Sequence, residues 1–166
     1  MKIVIAEKKH LPVIRQIAYD TWFVTYSEIQ TQEQLEYMLD WMYSLDSLED
    51  QIKNKGHYFL LVELDGEYIG YASYELNYQD EPKTKIHKLY VLPHHHKKGV
   101  GQLLIEKIAE IAKKELNIAI LLDVNKQNKA VAFYKRIGFE IVGEKCTDIG
   151  RGFEMDDYIL EKTLNT

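Results

Sequence analysis

The chain has 166 residues, 46% hydrophobic and 28% charged, a balance that fits one globular domain spanning 1–166. Its net charge of −5 excludes a general nucleic-acid binder, which would be basic, and favours cationic small molecules as ligands. The single cysteine, Cys146, excludes an intramolecular disulfide, and no apolar run is long enough to span a bilayer, so a cytoplasmic location with no membrane partner is expected.

Residues 2–6 read as a first strand, with too few apolar residues before Glu7 and Lys8 for the core of a signal peptide. Leu11, Ile14, Ile17, Ala18 and Trp22 then recur at helical spacing, with Pro12 in the first turn where its missing N–H costs nothing. After a break over 27–31, Leu35, Met38, Leu39 and Met42 mark a second helix. Ser47 is placed to cap a further turn or two carrying Leu48 and Ile52. Lys55-Gly56 ends this helical part. A strand over 57–64, the hairpin signal Asp65-Gly66 and a partner strand over 67–77 follow. A polar loop with Pro82 leads to a strand over 84–92, which Pro93 stops.

Residues 100–115 carry Leu103, Leu104, Ile108, Ala109, Ile111 and Ala112 on one helical face. The almost wholly apolar strand at 118–124 suits a position covered on both faces. A short helix over 128–137 ends at Gly138, and 139–147 and 153–162 form two closing strands. The order β-α-α-β-β-β-α-β-α-β-β predicts an α/β domain whose mixed central sheet is flanked by helices. The sheet should be antiparallel early and parallel around the two later helices.

Between the strand at 84–92 and the helix at 100–115 lies His94-His95-His96-Lys97-Lys98-Gly99-Val100-Gly101-Gln102. Glycines let backbone N–H groups converge, a helix N-terminus adds partial positive charge, and two lysines add full charges. This is an anion site suited to a pyrophosphate. A dinucleotide fingerprint needs a glycine where Leu104 stands, and a Walker A loop needs Lys-Ser/Thr where Gln102-Leu103 stand; neither fits. Adjacent loop histidines rarely converge on one ion, so no metal is expected.

In this segment the sequence resembles the GNAT superfamily of N-acetyltransferases, the acyl-CoA N-acyltransferase fold. The family signature, Arg/Gln-x-x-Gly-x-Gly/Ala, binds the pyrophosphate of coenzyme A and matches residues 96–101, with His96 where arginine or glutamine is usual. A second hallmark follows in Leu122-Asp123-Val124, Asn128, Ala130, Phe133-Tyr134 and Gly138-Phe139. Counted from the strand, Asn128 takes the family's asparagine position; counted back from Tyr134, Gln127 does. Asn128 equally suits a helix N-cap. Thr21-Trp22, Tyr26, a helix beginning near Thr31 and the ending 153–158 look like the polyamine-acetyltransferase branch.

The resemblance implies an acetyl-CoA-dependent N-acetyltransferase acting on a primary amine by direct attack in a ternary complex. It implies a cofactor surface made of Leu89, Tyr90, Val91, His96, Lys97, Lys98, Gly99, Val100, Gly101, Gln102, Asn128, Phe133 and Tyr134. Leu89 and Val91 would offer main-chain groups at a bulged strand, and Tyr134 would protonate the departing thiolate. His87 takes the place of the family's glutamate base and suits proton abstraction near neutral pH. Trp22, Tyr26 and Glu28 are the acceptor contacts, with Glu75 a further candidate, because aromatic faces and carboxylates suit an ammonium. The acceptor is a small amine, a polyamine, or an amino-acid or protein amine, and homodimers are common in such families. The rival reading is a non-catalytic CoA-binding or regulatory module of the same fold. A covalent route through Cys146 has no base placed beside it.

Overall fold

Strand β1 (Lys2–Ile5) opens the chain and pairs antiparallel with β2 (Tyr58–Leu64), which in turn pairs antiparallel with β3 (Glu67–Glu75). The structure is a computed structural model, and it describes residues 1–165. It divides into two compact units. The first comprises Met1–Glu75 with His87–Ile108, and the second comprises Leu76–Ile86 with the chain from Ala109 onward.

In the first unit, Asp65 (φ 52°) and Gly66 (φ 83°) both lie in the left-handed region, as the tight hairpin between β2 and β3 requires. The register shifts between Val62 and Glu63, which face Gly70 and Tyr68, so Ile69 is the extra residue of a bulge in β3. The helices α1 (Leu11–Tyr26), α2 (Gln32–Tyr43) and α3 (Leu45–Lys53) belong to this unit. Ile14, Ala18, Leu39, Leu48, Leu61 and Val62 are fully buried in its core. Thr31 caps α2, its side chain accepting from the Gln34 N–H at 3.1 Å. The cap of α3 is Ser44 and not Ser47: the Ser44 hydroxyl accepts from the Ser47 N–H at 3.1 Å. Ser44 ends α2 and starts α3, so α3 begins earlier than the Ser47 reading placed it and is a full nine-residue helix.

Strand β4 (Lys83–Val91) contributes its last five residues to this unit, giving the order β1-β2-β3-β4. Helix α4 (Val100–Lys114) starts here too, with Val100, Leu104, Ile105 and Ile108 buried.

In the second unit the order is β4-β5-β7-β6. Lys83–Ile86 of β4 pair in parallel with Ala119–Leu122 of β5 (Ala119–Asn125). Strand β7 (Phe153–Thr163) runs antiparallel to both β5 and β6 (Glu140–Gly150). The parallel sense expected around both later helices is present, but only around α4 are the two strands neighbours; around α5, β5 and β6 run the same way with β7 between them. After α5 (Ala130–Arg136) the chain forms β6, and β7 lies between β6 and β5. A hairpin that folds back on itself explains this: β6 and β7 are joined by Arg151 and Gly152, both with positive φ, so the last strand returns along the sixth. The mixed seven-stranded α/β architecture is the expected one.

Candidate active site

The candidate anion loop is built by backbone angles. Residues 93–95 make one 3₁₀ turn, with the His95 N–H on the Leu92 carbonyl at 2.9 Å. Lys97 then adopts φ 63° and Gly99 φ 79°. A Cβ on Gly99 would meet nothing within 4 Å, so this glycine serves its backbone angle rather than a lack of room. The Leu103 N–H donates to the Gly99 carbonyl at 3.0 Å, the first bond of α4. By helix geometry the N–H groups of Val100, Gly101 and Gln102 have no carbonyl to donate to within α4 and sit at its positive end. Lys97 and Lys98 are exposed beside them. His96 turns back instead of outward: its Nε2 lies 2.7 Å from the Val91 carbonyl and ties the loop to the end of β4.

Gly70 was absent from the sequence reading and holds this corner together. A Cβ there would lie 3.0 Å from the Tyr90 carbonyl and 3.4 Å from methyl groups of Val91 and Val100. A side chain there would require the Tyr90 carbonyl or β3 itself to give by a few tenths of an ångström, so glycine suits this close approach of β3 to β4 and the first residue of α4. An isolated glycine inside a strand pattern is the signal that could have found it.

Tyr26 and Tyr90 meet hydroxyl to hydroxyl at 3.0 Å, linking the last residue of α1 to β4. Trp22 is 2% exposed, with ring centroids 5.0 Å from Tyr26 and 5.8 Å from Tyr90. That burial sets it behind the two tyrosines. Tyr90, expected on the cofactor side, sends its ring into this cluster. Beneath it Tyr71 donates to Tyr43 at 2.7 Å, and burial raises both phenols well above their ordinary range. Glu28 is exposed just after α1.

His87 and Lys88 are neighbours on β4 and meet different partners. His87 Nε2 is 3.0 Å from Glu75 Oε1, while Lys88 donates to Gln51 at 2.6 Å and lies over the Phe59 and Tyr43 rings. Burial, aided by Lys55, pushes the Lys88 ammonium down to about 7. His57 stacks on His87, centroids 3.9 Å apart and planes 15° apart, with its own Nε2 3.5 Å from Glu75 Oε1. Burial, then Lys88 and Lys55, push His57 down to about 4.

The second unit holds Asn128, Phe133 and Tyr134. Asn128 Oδ1 accepts from the Ala130 N–H at 2.9 Å and so caps the start of α5, while Gln127 is exposed. Tyr134 is 7% exposed, edge-on to Phe133 and Phe139 at 5.3 and 5.6 Å. Nearby on the strands, Lys85 and Lys145 both donate to Asp123 Oδ2 at 2.7 Å. Burial works to raise the Asp123 carboxyl, but the two lysines hold it below its ordinary value. Asp157 is 3% exposed, and burial together with Asp123 pushes it up to about 6. Among the described residues no helix is long and apolar enough to cross a membrane.

Comparison with known proteins gives this geometry a family. The profile of the acetyltransferase (GNAT) family matches residues 12–139. An uncharacterised N-acetyltransferase of Methanocaldococcus jannaschii is 34% identical over 87 residues, 49% of this chain and 38% of that protein. The chain thus aligns with well under two thirds of that relative's length. The spermidine N(1)-acetyltransferase of Thermoplasma acidophilum is 27% identical over 157 residues, covering 92% of this chain and 90% of the relative. The crystal structure of the PaiA N-acetyltransferase of Thermoplasma acidophilum in complex with coenzyme A superposes with a TM-score of 0.80. It is 26% identical and covers 98% of this chain and 99% of its own. The chain belongs to the acetyltransferase (GNAT) family.

Proposed function

We propose that this protein transfers an acetyl group from acetyl-CoA to an amine by direct attack in a ternary complex. The observation that carries the reading is the turn from Lys97 to Gln102. Two left-handed residues deliver three unpaired helix N–H groups and two lysines to one place, which is the chemistry a diphosphate needs. The coenzyme A complex of the PaiA relative supports the choice of diphosphate.

In this reading the amine nitrogen attacks the thioester carbonyl carbon, the C–N bond forms and the C–S bond breaks. His87, steadied by Glu75 at 3.0 Å, takes the proton from the amine, directly or through water. Tyr134 gives its phenolic proton to the departing thiolate. Main-chain groups of Leu89 and Val91 position the thioester. A main-chain N–H on its oxygen contributes about 2–4 kcal/mol to the transition state. Asn128 and Phe133 are cofactor contacts in the same reading. Tyr26 and Tyr90, backed by Trp22, offer aromatic faces to a cationic acceptor, and Glu28 offers a carboxylate. A polyamine fits this combination, and the spermidine relative points the same way.

The test is calorimetry with coenzyme A followed by thiol release against a panel of amines that includes spermidine and spermine. Coenzyme A heat with amine-dependent thiol release supports the reading. Heat without release from any amine would leave a CoA-binding module, and no heat would end the enzymatic reading.

A further inference from the structure

We propose that His57, Glu75 and His87 form a site for a zinc-like divalent ion, and that an ion bound there takes His87 out of acid–base service. The three side chains come from neighbouring strands: His57 precedes β2, Glu75 ends β3, and His87 lies within β4. One ligand atom from each lies within 4.8 Å of the others. Glu75 Oε1 is 3.0 Å from His87 Nε2 and 3.5 Å from His57 Nε2. A tetrahedral zinc ion with bonds of about 2.0–2.2 Å sets its ligands about 3.3–3.5 Å apart. Two of the three edges thus already stand near coordination length; the ring nitrogens' lone pairs lie in the ring planes, so closing the third edge requires one of the stacked rings to turn until both planes meet at the ion.

The donor set suits the ion as well as the spacing does. Two imidazoles and one carboxylate leave a fourth position for water. The side chains of His57, Glu75 and His87 are 10%, 26% and 20% exposed, sheltered but reachable. His57 Nδ1 is buried with no hydrogen-bond partner among the described residues, so binding through Nε2 leaves the Nδ1 proton without an acceptor, a cost that makes the site weak. Ammonium groups of Lys55 and Lys88 near His57 oppose a dication, which makes the site reversible rather than structural. Acetyl transfer by the proposed route needs no metal, so the ion acts as an inhibitor, not a cofactor. Its effect on turnover rests on the transferase reading; its binding does not.

The experiment uses the untagged full chain stripped of metal. Zn²⁺ is titrated by calorimetry, and Co²⁺ is followed by its visible absorption. One site with intense tetrahedral Co²⁺ bands is expected, weakened roughly tenfold or more in His57→Gln and in Glu75→Gln, each checked for folding by circular dichroism. Absence of Co²⁺ bands would overturn the proposal. So would Zn²⁺ binding that ignores both substitutions and disappears when His94 and His95 become glutamine. Zn²⁺ should also suppress amine-dependent thiol release, and a chelator should restore it. Inhibition undiminished in His57→Gln would overturn the regulatory half. Coenzyme A calorimetry on the same samples separates the two ideas, because missing coenzyme heat sinks the transferase reading and leaves the ion site standing.

Discussion

His96 Nε2 meets the Val91 carbonyl at 2.7 Å, so the residue that departs from the family signature staples the turn at 96–99 to the strand before it. The arginine or glutamine usual at this position can donate a hydrogen bond, and histidine keeps that capacity. The loop beyond has to hold Lys97 and Gly99 at positive φ, and a closed base limits the entropy lost when a ligand orders it.

Replacing His96 with alanine leaves the Val91 carbonyl without this donor. Coenzyme A affinity should fall about fivefold to tenfold, the worth of one hydrogen bond of about 1 kcal/mol. His96→Gln should recover most of it. Calorimetry decides: equal affinities for all three proteins would remove the staple from the account.

Gly70→Ala tests the corner from the other side. Its Cβ would press on the Tyr90 carbonyl at 3.0 Å, and a backbone atom cannot swing away as a side-chain tip can. Overpacking of this kind costs about 1–3 kcal/mol. The Tm should drop, and coenzyme A affinity should drop with it, because Val91 and Val100 border the same point. A lowered Tm with unchanged coenzyme affinity would show that the corner serves stability alone.

These two residues mark where sequence reading succeeded and where it stopped. The strand-to-helix turn at 93–100 was legible because proline, glycine and helix periodicity are local signals. The Asp65-Gly66 hairpin was legible for the same reason. Gly70, the Glu75–His87 contact and the stacking of His57 on His87 depend on which strands lie side by side, and no local pattern states that. The position of β7 between β5 and β6 was hidden likewise, since sequence order alone does not say which strand a closing hairpin inserts. Trp22 shows the same limit, because an aromatic at helical spacing reads the same whether it lines a pocket or backs one.

Tyr134→Phe isolates the proposed acid. The ring keeps its edge-on packing with Phe133 and Phe139, so the fold should hold and coenzyme A should bind nearly as before. Turnover should fall by about 10²-fold or more if the phenol protonates the thiolate. Stopped-assay thiol release under saturating acetyl-CoA measures it, and unchanged turnover would strip Tyr134 of that role.

Asp157 gives the protein a pH dependence whose sign is fixed. Its carboxyl, ordinarily near 3.8, is pushed up to about 6 by burial and by Asp123, with Lys145 and Lys85 offsetting part of the rise. Between those two values the folded chain holds a proton that the unfolded chain has released. Stability from this group is therefore full at the acid end of the window, declines as pH rises, and the penalty is complete above about 6. Asp157→Asn removes the titration, and at pH near 7.5 the variant should be the more stable protein by on the order of 2 kcal/mol. The gap should shrink as the pH approaches 4, since the wild-type carboxyl is then protonated and nearly as easily buried as the amide. Asp123, held down by its lysines, works in the opposite sense, and because its charge is also a cause of the Asp157 rise, the difference reports the two carboxyls together rather than Asp157 alone. Thermal melts of the pair across this range read the gap directly, and a gap that widened toward acid would mean that Asp157 is ionised and paired in the folded state.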